Sequence, residues 1–364
     1  MKETVLVFPS STISSILFAF SAKDNFSLLG ASSDCMLSNA QLFDEWKYLP
    51  YINSDNFTNE IKLLLSRYKI KKIFAGSSGA WHFLQKFIDE ENLDTTLLNT
   101  PEHNSSIAYA KSFKTYSNEL YDYYSLFQTD TPELSNSEFA SMLHNYHKVP
   151  GESGDNKFLA LTQIAKYIPK GDMVEIGTQQ GKSAFLLYAI AKKYNIGKVL
   201  CIDPWTNSVQ KDSPELIQEL GKNTEIDYFF YNFLLNLSLY KDKVNYIKKT
   251  SDDAFLDYKT NTNIVSEEFG KTKYTQKIAL LHIDGNHDYI YVYNDLKNYS
   301  KFLIDGSWIL FDDYIWAFGI GPKKVGDSFL EQNMPNIKNC FYTDGTLFVQ
   351  IISASNIKIP VYSI

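Results

Sequence analysis

The chain has 364 residues, 44% of them hydrophobic and 21% charged, a balance that excludes disorder over most of its length and matches ordinary soluble globular proteins. At about 150 residues per domain, two domains are expected, each long enough to bury a core. Lys and Arg total 35 against 42 Asp and Glu, a net charge of −7, and Arg67 is the single arginine; a basic footprint of the nucleic-acid type is absent.

Cys35, Cys201 and Cys340 are odd in number and form no C-x-x-C pair, which argues against a disulfide framework or a zinc cluster and fits a reducing cytoplasm. The N-terminus has Lys2 and apolar runs at Val5 to Phe8 and Ile16 to Phe20, but Glu3 sits where a secretory leader is basic, and Pro9 to Thr12, Ser14 and Ser15 break the run. No stretch reaches the roughly 20 apolar residues of a membrane span.

In chain order, residues 4–8 read as a strand, 13–22 as a helix and 26–29 as a second strand; a helix at 55–68, a strand at 72–75, the loop Gly76 to Gly79 and a helix from Ala80 come next. Alternating strands and helices predict an open parallel sheet. The segments VLVFPSST, LLGASSD and KKIFAGSSGAW resemble the Rossmann-like domain that precedes the ATP-grasp fold in carboxylate-amine ligases. The ATP-binding module that should come after it is not visible, so ligase activity does not carry over. Residues 1–124 are expected to form a Rossmann-like domain serving substrate gating or dimerisation.

Residues 125–156 turn polar, with Thr129 to Pro132 and Pro150 to Gly154, and read as a linker holding a short helix at about 137–147 that could form a lid over the second domain. Residues 157–364 read as that second α/β domain. Helices are expected at 157–168, 182–194 and 289–303, with a long helical region up to about 240. Strands are expected at 173–176, 198–202, 244–247, 278–283 and 307–311. Asp344-Gly345 between two β-rich runs signals a type I′ hairpin, so a mostly parallel sheet should close with antiparallel strands.

The run Val174 to Ser183 (VEIGTQQGKS) is a strand, a glycine turn and a helix start. Three residues separate Gly177 from the Gly181-Lys182-Ser183 element where a Walker A loop needs four, and the G-x-G of the dinucleotide fingerprint is missing. What remains is an acidic-x-Gly-x-x-x-Gly loop that resembles the class I methyltransferases using S-adenosylmethionine. The resemblance implies a Rossmann-like methyltransferase domain with a mostly parallel seven-stranded sheet and a terminal antiparallel hairpin.

It also implies a cofactor site. Gly177, Thr178, Gly181 and Ser183 would let the backbone and the helix N-terminus meet the methionine part, and Glu175 would face its ammonium. Asp203 would accept the ribose hydroxyls, and Ser251 and Asp252 would hold the adenine. Asp284 borders the same site. The plainer alternative makes Asp203 a helix N-cap and Glu175 a structural acid.

Two further strand ends carry acids, Ile283-Asp284-Gly285-Asn286-His287 and Phe311-Asp312-Asp313-Tyr314. In a doubly wound sheet these tips converge, and three carboxylates at one point call for a cation, with Mg²⁺ suited to oxygen ligands. The block resembles the metal-dependent small-molecule O-methyltransferases, above all the macrolide-sugar O-methyltransferase branch. On that match Asp284, Asp312 and Asp313 would ligate the metal, although the catechol-type relatives carry Asp-Asn at the acidic pair, and His287 would be the general base.

Tyr314 and Trp316 are the candidates to line the acceptor pocket, whereas His282, flanked by apolar residues, reads as a core histidine. The expected activity is methylation of a hydroxyl on a sugar or a natural-product or glycan precursor. The expected partner is that small molecule, with no nucleic acid and no membrane, and homo-oligomerisation stays open. A metal-free transfer to nitrogen, and a catalytically silent S-adenosylmethionine-binding protein, are the alternatives. An ATP-dependent ligase is disfavoured by the missing phosphate loop.

Overall fold

The computed structural model describes residues 2–34, 40–126, 133–206, 215, 218, 219, 222 and 225–360. Cys35, the polar run Thr129 to Pro132 and part of the helical region expected before residue 240 lie outside them. The chain divides into two units, Met1–Tyr116 and Ser117–Ile364. Among the described residues no helix is long and apolar enough to cross a membrane, and Cys201 and Cys340 are free thiols.

The first unit alternates strand and helix: β1 (Thr4–Phe8), α1 (Ile13–Ala22), β2 (Ser27–Ser32), β3 (Glu45–Tyr48), α2 (Phe57–Arg67), β4 (Lys72–Ala75), α3 (Ser78–Glu90) and β5 (Thr96–Leu97). The five strands form one sheet in the order β3-β2-β1-β4-β5, every pair parallel. Leu6, Phe8, Leu29 and Ile73 meet Phe57, Ile61 and Leu84 in one core layer. β3 and β5 escape the sequence reading because they are short and lack an apolar run.

Helix α4 (Glu102–Leu126) crosses the division between the units. The boundary therefore falls at 116/117 rather than 124/125, and the stretch read as a linker contributes to the second unit's core. α5 (Asn136–Lys148) opens with a reciprocal capping box between Ser135 and Glu138 and buries Phe139, Leu143 and Tyr146. The Phe139 ring lies 5.2 Å from Phe158 and 5.3 Å from Tyr124. Each such side chain removed from water contributes about 1.5–3 kcal/mol, enough to pack the helix expected at 137–147 into the second unit.

The rest of the second unit comprises α6 (Asp155–Ile164), β6 (Asp172–Ile176), α7 (Lys182–Lys193), β7 (Val199–Ile202), α8 (Ile226–Leu237), β8 (Val244–Ile247), α9 (Ser251–Thr260), β9 (Asn263–Ser266), β10 (Gly270–Lys273), β11 (Ile278–Ile283), α10 (Tyr289–Tyr299), β12 (Leu303–Phe311), α11 (Gly321–Asn333), β13 (Ile337–Thr343) and β14 (Thr346–Ile351). Its seven-stranded sheet has the order β13-β14-β12-β11-β6-β7-β8, and β14 alone runs against the rest. The expected Asp344-Gly345 turn joins β13 to β14 with positive φ at both residues, 50° and 76°, as a type I′ turn requires. β9 and β10 form a separate antiparallel hairpin that the sequence did not announce.

The strand order reverses at β6, so the crevice outside the carboxyl ends of β6 and β11 is the place for a ligand. At the opposite ends of these strands Asp172 acts as a clamp. Its carboxylate accepts from the Tyr258 hydroxyl at 2.9 Å, Thr275 N at 2.9 Å and Gln276 N at 2.8 Å. Replacing Asp172 by Ala orphans three donors, each costing about 1–3 kcal/mol where buried. The expected result is a urea midpoint lowered by an amount equivalent to about 3 kcal/mol, with Asp172→Asn losing less; an unchanged midpoint for the Ala variant would contradict this.

Candidate active site

The backbone ladder continues one residue past each central strand. Asp284 N donates to Ile176 O at 2.9 Å, Asp312 N to Ile283 O at 2.9 Å and Gly177 N to Ile202 O at 2.8 Å. Asp284, Asp312 and Gly177 are therefore neighbours at the sheet's carboxyl edge. Side chains alternate along a strand: Ile176, Ile283 and Phe311 join the apolar core, and the alternate positions Glu175, His282, Asp284 and Asp312 share the other face. Glu175 and His282 are cross-strand partners in register, and the His282 Nδ1–H donates to Glu175 Oε1 at 2.9 Å.

The glycine loop comes directly after β6. Gly177 has φ +85°, and a Cβ there would lie 1.9 Å from the Asp284 carbonyl oxygen, so only glycine allows the β6 and β11 ends to approach. Gly181, at φ +88°, caps α7. Thr178 and Ser183 are buried within the same turn and helix start. Asp203 accepts from Gln179 N at 2.9 Å and Trp205 N at 2.7 Å, which ties the loop to the end of β7. Glu175 Oε2 is buried without a hydrogen-bond partner among the described residues, an acceptor left over for a cationic group such as an ammonium.

A second constellation surrounds the acidic tips. His287 Nε2 lies 3.7 Å from Asp284 Oδ1, and its Nδ1 3.3 Å from Asp313 Oδ2. His282 Nε2 is 3.4 Å from Asp312 Oδ2 and 3.9 Å from Asp284 Oδ2. The Lys157 ammonium, buried at the start of α6, bonds to Asp312 Oδ2, and the Thr346 hydroxyl donates to Asp312 Oδ1. Asp313 adopts φ +50°, a left-handed backbone that gives adjacent acids different partners.

The charges divide accordingly. Burial opposes ionisation of Asp312, but Lys157 and His282 outweigh it and hold the carboxyl well below its usual range. Burial and repulsion from Asp312 push Asp284 well above. Burial and Lys157 disfavour His282's charge, yet bonds to Asp312 and Glu175 raise it to about 9. Burial lowers His287 against the pull of Asp313, favouring a neutral imidazole.

Outside the glycine loop and Asp203, the expected site residues fall into three groups. Glu175, Asp284, His287, Asp312 and Asp313 meet at the sheet edge. Trp316 joins them, its ring edge-on to His287 at 4.8 Å. Tyr314 turns toward α11, where its hydroxyl bonds Asp327 and its ring packs near Gly326 and Tyr342. Ser251 and Asp252 stand beyond β8 at the start of α9 and are tied to α10, Ser251 O by the Tyr299 hydroxyl at 2.9 Å and Asp252 by Asn298 at 2.9 Å. Sequence reasoning missed Lys157, which looks like an ordinary helix lysine, and read His282 as a core residue. The histidine's place two residues before Asp284 on a strand was the signal that both share a face.

Residues 174–314 match the family described as a methyltransferase domain. The glycine loop and the strand-end acids fall within that matched segment. The chain is 30% identical over 159 residues to an uncharacterized protein of Acanthamoeba polyphaga mimivirus, covering 43% of this chain and 58% of that relative's length. Among solved structures it is similar to the O-methyltransferase NovP (14% identical, 60% of this chain and 82% of that one, TM-score 0.38). It is also similar to the calicheamicin methyltransferase CalS11 (11%, 69% and 93%, TM-score 0.37). The mycinamycin-pathway methyltransferase MycE, solved with Mg, SAH and mycinamycin VI, is a further likeness (12%, 61% and 56%, TM-score 0.36).

The residues present fit both groups expected from the sequence, the methyl donor and a divalent ion. The unpartnered Glu175 oxygen and the glycine turn suit the amino-acid end of the methyl donor. Two sets of ligand atoms, His282-Asp284-Asp312 and Asp284-His287-Asp313, each converge within 4.8 Å, as a cation site requires. Gly177→Ala should force the β6 and β11 ends apart. Calorimetry with S-adenosylmethionine is expected to show at least tenfold weaker binding, about 1.4 kcal/mol, with the fold retained by circular dichroism; wild-type affinity would refute the close approach.

Proposed function

We propose that the second unit transfers the methyl group of S-adenosylmethionine to a hydroxyl of a sugar or of a natural-product or glycan precursor, with Mg²⁺ assisting. The observation that carries this reading is His287. It is an imidazole whose burial favours the neutral form, set between Asp284 and Asp313 beside an aromatic ring. A neutral imidazole can take a hydroxyl proton, and Asp313 beside Nδ1 stabilises the imidazolium that results.

The donor supplies an electrophilic methyl on sulfur, and a divalent ion held by Asp284 with either Asp312 or Asp313 would make the acceptor hydroxyl more acidic. The chain's own residues do the rest. Glu175, Gly177, Thr178, Gly181 and Ser183 hold the methionine end of the donor, Asp203 its ribose, and Ser251 and Asp252 its adenine. Trp316 offers a flat apolar wall suited to a sugar or ring acceptor, and Tyr314 braces the loop that carries it. Alignment of acceptor oxygen, methyl and sulfur is the main catalytic contribution. Substrate gating or dimerisation is assigned to the first unit, and the cytoplasm is the compartment that the free thiols suit.

One observation favours a second reading, a metal-free transfer: Lys157 already brings a positive charge to Asp312. Chelation separates the two. EDTA is expected to abolish turnover and Mg²⁺ to restore it, while full activity after chelation would transfer the weight to the metal-free reaction. His287→Ala should lower kcat by about 10²–10⁴ while S-adenosylmethionine affinity stays within about threefold; a fully active variant would place the base elsewhere.

A further inference from the structure

We propose that Lys157 is a positioning residue: its ammonium is the built-in counter-cation of the acidic cluster, holding Asp312 and setting how tightly a divalent ion binds there. The inference rests on the metal-assisted reading of the function.

The geometry gives Asp312 no idle oxygen. Oδ1 takes the Thr346 hydroxyl, and Oδ2 takes Lys157 Nζ with His282 Nε2 3.4 Å away. Asp313, its chain neighbour, turns to His287 instead. The Lys157 side chain is 2% exposed, and a lysine so far from water keeps its charge only where a carboxylate compensates it.

Its placement is built rather than incidental. Lys157 is the third residue of α6, whose N-cap, Gly154, offers no side chain to the helix. Asp344 of the β13–β14 turn fills that role from outside, accepting from Lys157 N at 3.3 Å. The turn that closes the sheet therefore fixes the helix start, while Thr346, at the beginning of β14, fixes the acid that the lysine meets.

Glu175, Asp284, Asp312 and Asp313 bring negative charge to one strand edge, and Lys157 is the lysine that contacts it. A fixed positive charge on a ligand carboxylate competes directly with an incoming divalent cation. The protein thus holds its acids together without metal and binds the ion less tightly than the bare carboxylates would.

The test is Mn²⁺ binding to the full chain, read by calorimetry and by the loss of the free-ion paramagnetic resonance signal. Lys157→Met and Lys157→Gln should each bind Mn²⁺ at least tenfold more tightly than wild type, and Lys157→Arg within about threefold of it. The glutamine variant keeps a donor for Asp312 without the charge, so it reads the same effect if the methionine variant does not fold. Unchanged or weaker Mn²⁺ affinity in a folded neutral variant overturns the proposal while leaving metal assistance standing. Binding by the neutral variants but not by wild type upholds the proposal and overturns metal assistance. No binding by any of them overturns both.

Discussion

Everything at the candidate active site depends on keeping several carboxylates close together at the edge of an apolar sheet. Like charges at such distances, partly removed from water, cannot all stay ionised unless cations meet them. Lys157 and His282 meet Asp312, His282 also meets Glu175, and Asp284 is left as the acid whose charge is least favoured. That imbalance is what the proposed divalent ion would relieve.

The fold creates this concentration by simple means. Parallel strands end in register, so the first residue past each strand lies beside its neighbours, and period-two alternation sends the isoleucines and Phe311 into the core and the acids to the other face. Reversal of strand order at β6 opens the crevice in front of them. The β13–β14 hairpin, which looks like a closing device, reaches back through Asp344 and Thr346 to both Lys157 and Asp312. Structural closure and site electrostatics are thus parts of one arrangement.

The proposed chemistry draws on residues of the second unit. The first unit's wholly parallel sheet has the architecture of nucleotide-binding domains, yet architecture alone assigns no activity. Two of its serines after β1 are occupied internally, Ser10 accepting from the Trp46 indole and Ser15 of α1 donating to Pro9 O. A role in gating or assembly asks nothing of these residues beyond a stable surface.

Local pattern determined much of what matters. The glycine spacing after β6 marked a tight turn, because positive φ and close approach demand glycine at 177 and 181. Asp-Gly dictated the type I′ turn, and acids directly after apolar runs marked the strand tips. Tertiary structure alone decided the partners. Lys157 stands far from Asp312 along the chain, and nothing in its neighbourhood predicts burial; His282 reads as core until Glu175 and Asp312 are seen on either side of it. The helix expected at 137–147 is there, and only the tertiary structure shows that it packs, Phe139 and Tyr146 meeting Phe158. Periodicity and turn chemistry are properties of adjacent residues, whereas charge compensation and burial arise only when distant segments are brought together, so the loop and the acids could be read beforehand and their counter-cation could not.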